Sequence, residues 1–188
     1  EKAIKIGSQI LSENNVKTFK LDSEILMSNV IKKERSFMIL NSQDKLKKSF
    51  FNHYYNLIKQ RSFGKPVAYL LGKKEFWNLE FKISKHVLIP RPDTELLIEE
   101  TLKISKNKNR LKVLDIGVGS GCILLSILSE KKNFYGVGID ISKKCIDLTK
   151  INAKKIGISR RIKFFKSDID NFNYGKYDLI ISNPPYIK

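Results

Sequence analysis

The run Leu111 to Ile116 (Leu-Lys-Val-Leu-Asp-Ile) passes straight into Gly117-Val118-Gly119-Ser120-Gly121, and this junction narrows the folds open to the chain more than any other stretch. A short apolar run predicts a buried parallel strand, and the apolar segment Cys122 to Leu128 after the glycines predicts a helix. Glycine lets such a turn reach positive φ and lets a ligand approach the backbone, while the helix N-terminus offers unpaired N–H groups. The next apolar run, Phe134 to Ile139, ends in Asp140. An acid about twenty residues past the last glycine is where a Rossmann-like unit binds a ribose. The expectation is an α/β fold with a nucleoside site at Gly117, Val118, Gly119, Ser120, Gly121 and Asp140. Asp140 has a second reading as the N-cap of the following helix, which Ser142 could equally start.

A second feature lies at the end of the chain. Asp178-Leu179-Ile180-Ile181-Ser182 reads as a strand, and it ends in Asn183-Pro184-Pro185-Tyr186. Proline fixes φ, lacks an N–H and pushes the preceding residue into an extended conformation, so tandem prolines stiffen the chain and leave carbonyls without partners. An Asn side-chain oxygen beside a backbone carbonyl makes a two-acceptor fork that matches a planar NH₂ group, and the Tyr186 ring can cover the conjugated plane. Asn-Pro alone would be an ordinary turn; the whole tetrapeptide after an apolar run points to the fork. It resembles the signature of amino-methyltransferases that act on glutamine amides or on the exocyclic amines of bases. The upstream loop, with a glycine at every second residue and Asp115 before it, in turn resembles an S-adenosylmethionine loop. That cofactor has no phosphate, and a carboxylate near its sulfonium and ammonium charges is favourable. Asp115 either meets those charges or orients the loop by accepting backbone N–H bonds. Asp168-Ile169, after the strand Ile162 to Phe165, stands where such a fold closes over the adenine.

With 188 residues and 41% hydrophobic content the chain can bury one good core and a small second one. It holds no apolar stretch approaching the ~20 residues that cross a bilayer and nothing like a signal peptide, so a soluble cytoplasmic protein is expected. Cys122 and Cys145 lack metal-ligand spacing and read as buried free thiols; no metal is expected, and His53 and His86 stand isolated. The 36 Lys+Arg against 19 Asp+Glu give +17. That charge draws the protein toward an acidic partner or reflects a lysine bias, since only Arg35, Arg61, Arg91, Arg110, Arg160 and Arg161 are arginine. Lys45-Leu46-Lys47-Lys48 and Lys154-Lys155 are where an electrostatic footprint would show.

Residues 1 to about 70 read as three helices marked by Ile4, Ile10 and Leu11, by Ile25 to Ile31, and by Leu46 to Ile58, the last carrying Phe50, Phe51, Tyr54 and Tyr55. Packing is the expected use of those rings. Asp22 and Ser42 are the expected caps of the second and third helices. Glu75 to Leu88 reads as a strand pair, Phe76 to Phe81 with Val87-Leu88.

Two further stretches make a resemblance specific: Gly64-Lys65-Pro66-Val67-Ala68-Tyr69-Leu70-Leu71-Gly72 leading to Glu75-Phe76-Trp77, and Val87-Leu88-Ile89-Pro90-Arg91-Pro92-Asp93-Thr94-Glu95. With the glycine loop, Asp140 and Asn183 to Tyr186, they resemble the release-factor glutamine methyltransferase family over essentially the whole chain. On its own residues, Pro92 with Asp93 and Glu95 is an ordinary helix start; within the resemblance, Arg91 to Glu95 marks the release-factor form. The resemblance implies a helical substrate-recognition domain over 1–72, a hairpin linker over 73–92 and a Rossmann-like class I methyltransferase domain over 93–188, with about four of seven strands present and the C-terminal ones missing. It implies S-adenosylmethionine as cofactor, leaving as S-adenosylhomocysteine, held by Asp115, Gly117 to Gly121, Asp140, Asp168, Ile169 and Asn183. The substrate implied is the Gly-Gly-Gln glutamine of class 1 peptide chain release factors. Asn183 and Pro184 take the catalytic role, and with Pro185 and Tyr186 they bind the substrate. The enzyme is expected to act as a monomer away from membranes. An N6-adenine methyltransferase acting on nucleic acid, and a non-catalytic cofactor- or RNA-binding fragment, are the alternatives.

Overall fold

The computed structural model describes residues 1–184 apart from residue 42 and the side chain of Ile39. The chain divides into two units, Glu1–Gly72 and Lys73–Lys188. Among the described residues the first unit holds five helices, α1 (Lys2–Glu13), α2 (Phe19–Ile31), α3 (Arg35–Leu40), α4 (Lys48–Ser62) and α5 (Val67–Leu71). The three longest follow the expected apolar stripes. Leu11 of α1, Leu26, Met27 and Val30 of α2, and Tyr54, Leu57 and Ile58 of α4 form one buried cluster. Each such side chain contributes roughly 1.5–3 kcal/mol by leaving water. α1 reaches α4 at Gly7, where a Cβ would stand 1.9 Å from Tyr54 Oη.

A hydrogen-bonded chain crosses this core. Ser23 Oγ donates to Ile4 O at 3.0 Å and lies 2.5 Å from Tyr54 Oη. A serine has one hydrogen, so Tyr54 is the donor of the second bond. Burial pushes the Tyr54 phenol up to about 12, which keeps that hydrogen in place. Of the four rings singled out on α4, Tyr54 is buried and Phe51 half-buried, whereas Phe50 and Tyr55 stand exposed, so packing accounts for only part of that set.

The expected caps differ from those found. α2 starts three residues before Asp22, whose carboxylate accepts from Thr18 Oγ1 and from Arg61 Nε, both at 2.8 Å; it is one half of a largely buried ion pair instead of a cap. α4 starts at Lys48, and Ser42 lies outside the described residues.

The second unit opens with an antiparallel hairpin, β1 (Lys73–Phe76) and β2 (Leu79–Lys82). The expected strand from Phe76 to Phe81 is therefore split by a turn, and Val87-Leu88 lies outside any strand. Trp77 and Asn78 take φ of 50° and 54°, the paired left-handed geometry of a two-residue hairpin turn. Two carboxylates hold it: Glu95 Oε1 accepts from Trp77 N at 3.0 Å and Glu130 Oε1 from Trp77 Nε1 at 2.8 Å.

After a 3₁₀ turn at Pro92–Thr94 come α6 (Glu95–Ile104), β3 (Lys112–Ile116), α7 (Cys122–Glu130), β4 (Tyr135–Asp140), α8 (Lys143–Ile156), a 3₁₀ turn at Ser159–Arg161, β5 (Ile162–Lys166) and β6 (Leu179–Ser182). The four strands pair in parallel in the order β5-β4-β3-β6. Strands covered on both faces carry apolar runs, and Val113, Leu114, Val137 and Ile139 are accordingly buried. The order reverses beside β3, between β4 on one side and β6 on the other, which is where open α/β sheets bind ligands at their carboxyl ends. No helix among the described residues is long and apolar enough to cross a membrane.

Candidate active site

Parallel register brings four strand ends to one edge. Ile116 pairs with Ile139 of β4 and with Ser182 of β6, and Asp140 pairs with Lys166 of β5. Asp140, the glycine loop and Asn183 therefore leave the sheet side by side, neighbouring strands lying about 4.8 Å apart. Asp178 Oδ2 accepts from Lys112 N at 2.7 Å at the start of β6, and Ser182 Oγ donates to Ile116 O at 3.1 Å at its end. These bonds fix β6 against a slip that would carry Asn183 away from the loop.

Gly117, Gly119 and Gly121 all take positive φ, at 74°, 54° and 82°. The loop is pinned from several sides. Gly117 N and Val118 N both donate to Ile139 O at 2.9 Å, and Gly121 N donates to Val118 O at 2.7 Å. Asp140 uses one oxygen for Gly119 N, at 3.0 Å, and the other for Ser142 N, at 2.8 Å. Each carboxylate oxygen has two lone-pair positions, so Asp140 keeps acceptor capacity at the end of β4. The N-cap of α8 is Ser142, whose hydroxyl accepts from Cys145 N.

Asp115 lies beneath the loop, 2% exposed. Burial pushes its carboxyl up to about 7, a bond from Leu124 N–H in α7 opposes this, and the charge of Asp140 adds to it. The carboxyl thus ties the end of β3 to the first turn of α7. Cys122 beside it is driven up to about 12 by burial, and Cys145 is also raised, so both stay thiols. Asp168 follows β5 and is exposed, its carboxylate bound by Asn171 N and Nδ2 at 2.8–3.0 Å, with Ile169 exposed next to it. Asn183 is half-buried and donates from Nδ2 to Thr94 Oγ1 at 3.3 Å, while Pro184 is exposed. Pro185 and Tyr186 lie outside the described residues. Among the described residues no group of three His, Cys, Asp or Glu side chains could hold a metal ion.

Residues 92–188 match the methyltransferase small domain, and residues 2–72 match the PrmC N-terminal domain. The chain belongs to the methyltransferase small domain family. A release factor glutamine methyltransferase of Buchnera aphidicola subsp. Schizaphis graminum is 41% identical over 88% of this chain and 60% of its own length. Its counterpart from Buchnera aphidicola subsp. Acyrthosiphon pisum is 40% identical over 100% of this chain and 66% of its own length, and one from Clostridium acetobutylicum 38% identical over 95% and 64%. The chain spans less than two thirds of the length of each. These relatives bear out the resemblance read from the motifs. A solved SAM-dependent methyltransferase from Agrobacterium tumefaciens superposes with a TM-score of 0.51 at 22% identity, over 60% of this chain and 39% of that one, and shows the shared fold.

Arg91 to Glu95 stands in the sequence only as a family marker, and two of its members have structural tasks. Thr94 holds the amide of Asn183, and Glu95 holds the hairpin turn. Two residues of α8, part of no motif in the sequence, also reach the loop. Thr149 Oγ1 donates to Gly119 O at 2.7 Å, and Asn152 Nδ2 donates to Ser120 O at 2.8 Å. The sequence signals their burial but not their partners: they are two polar residues three apart on the face of α8 that also buries Cys145, Ile146 and Leu148.

Proposed function

We propose that this protein transfers a methyl group from S-adenosylmethionine to the side-chain amide nitrogen of the Gly-Gly-Gln glutamine in class 1 peptide chain release factors. The observation that carries the reading is the Ile116–Ser182 pairing, which sets Asn183 level with Gly117 across adjacent strands. The donor set fits the cofactor. Asp140 retains acceptors suited to a ribose diol, and residues 113–121 carry no basic side chain that would meet a pyrophosphate. Asp140 and residues 117–121 would hold the nucleoside, with Asp168 and Ile169 beside the base. When bound, S-adenosylmethionine would supply a methyl on a sulfonium; the electron pair of the broken S–CH₃ bond stays on sulfur as neutral S-adenosylhomocysteine and one amide N–H proton passes to solvent after transfer, so no strong general base is needed.

A glutamine amide nitrogen is a poor nucleophile because its lone pair is delocalised, so alignment must supply the rate. Asn183 Oδ1 and the Pro184 carbonyl accept the two amide hydrogens and draw charge toward nitrogen as the new bond forms. Thr94 contributes by taking the Asn183 NH₂, which leaves Oδ1 as the group presented to the substrate. The substrate-binding roles of Pro185 and Tyr186 rest on the sequence alone, since both lie outside the described residues. The release-factor form of the Arg91–Glu95 stretch and the names of the relatives favour a protein substrate over an adenine amine. Incubation with methyl-labelled cofactor and either a release factor or nucleic acid tests this. Mass spectrometry is expected to find one added methyl on the Gly-Gly-Gln glutamine; label in nucleic acid with an unmodified factor would overturn it.

A further inference from the structure

We propose that Thr149 and Asn152 of α8 are positioning residues that hold the Gly119 to Gly121 backbone of the cofactor loop so that Ser120 N–H points away from α8. The inference rests on the reading that residues 117–121 hold S-adenosylmethionine. Both side chains are fully buried. Thr149 Oγ1 takes the Gly119 carbonyl at 2.7 Å, and Asn152 Nδ2 takes the Ser120 carbonyl at 2.8 Å. In a trans peptide the C=O and the following N–H point opposite ways, so fixing Gly119 O toward α8 turns Ser120 N–H away from it. The Gly119–Ser120 peptide of this glycine-rich loop has the freedom to turn over, since no backbone bond uses Gly119 O or Ser120 N, whereas Gly121 N holds the Ser120–Gly121 plane through Val118 O and Asn152 adds a second tie to it. Thr149 removes that freedom before any ligand arrives, so less ordering is left for binding to offset.

Asn152 does more than satisfy a buried carbonyl. Its Oδ1 accepts from Lys82 N at 2.8 Å and its Nδ2 also donates to Lys82 O at 3.1 Å, so one side chain joins β2 of the hairpin to the loop. Both amide hydrogens and the amide oxygen are used. Aspartate would keep the acceptor for Lys82 N–H and set a carboxylate against two carbonyls; only asparagine meets all three demands at this length.

The test measures S-adenosylhomocysteine affinity by titration calorimetry, alongside the unfolding temperature of the ligand-free protein. Thr149→Val keeps the shape and removes the donor; Thr149→Ser keeps the donor and removes a methyl. Thr149→Val is expected to bind about tenfold more weakly, the scale of one buried hydrogen bond, and Thr149→Ser to stay within about twofold of the unaltered protein. Asn152→Asp is expected to lose at least as much affinity as Thr149→Val. In turnover, KM for the cofactor rises while KM for the protein substrate holds. Unaltered affinity in Thr149→Val, an equal loss in Thr149→Ser, or failure of both Thr149→Val and Asn152→Asp to fold would show a purely structural role and overturn the proposal. Failure of the unaltered protein to bind S-adenosylhomocysteine would instead refute the cofactor reading.

Discussion

Asp115→Asn is expected to stabilise the second unit at alkaline pH and to do so hardly at all in acid. Burial is the main reason the Asp115 carboxyl is raised from 3.8 to about 7, with Leu124 N–H pulling it back and Asp140 pushing it up. A raised carboxyl favours the folded state while it is protonated. That contribution is complete below the unfolded value and is lost as pH rises from about 4 through about 7. At about 1.4 kcal/mol for each tenfold change in proton affinity, ionisation costs the folded unit roughly 4 kcal/mol once the group is fully charged. Asparagine is neutral throughout and its Oδ1 can still accept from Leu124 N–H. Contributions of other titrating groups are common to both proteins and largely cancel in the comparison. The assay is direct, because the chain's one tryptophan, Trp77, lies in the hairpin of the same unit. Urea unfolding followed by its fluorescence should show the advantage of Asp115→Asn growing by roughly 2–3 kcal/mol between about pH 5 and about pH 8. An advantage independent of pH, or a variant less stable than the parent at about pH 8, would refute the burial argument.

Two other substitutions probe separate parts of the molecule. Thr94→Val removes the acceptor for Asn183 Nδ2 and should lower kcat several-fold, consistent with a net ~0.5–1.5 kcal/mol for one hydrogen bond, with cofactor affinity unchanged by calorimetry. Gly7→Ala drives a Cβ to within 1.9 Å of Tyr54 Oη, and circular dichroism should show the helical unit destabilised by about 1–3 kcal/mol or more.

The parts of the fold legible in sequence are those whose signal is local. β3, the glycine loop, α7 and β4 each announce themselves through an apolar run or a glycine that needs positive φ, and their observed limits differ from the expected ones by only a residue or two. The hairpin turn is not legible because it is Trp77-Asn78, where the usual signal is Asn-Gly. A tryptophan at φ 50° is uncommon, and it is held there by Glu95 and Glu130, distant in sequence. α3 and α5 are six and five residues long, too short to carry a periodicity. Asp22 looked like a cap because its ion-pair partner Arg61 lies two helices away. In the candidate site, the glycine loop and the placing of Asp140 and Asn183 just past apolar strands are legible in the sequence, whereas Thr94, Thr149 and Asn152 make contacts that exist only once the strands and α8 have assembled.

The oxygen pair at Asn183 and Pro184 is tested most directly by single-turnover methyl transfer to a release factor from Asn183→Ala preloaded with S-adenosylmethionine. The transfer rate is expected to fall about a hundredfold or more, the scale of one lost electrostatic donor or acceptor at a reacting group, while S-adenosylhomocysteine still binds. Transfer at the parental rate would contradict the fork.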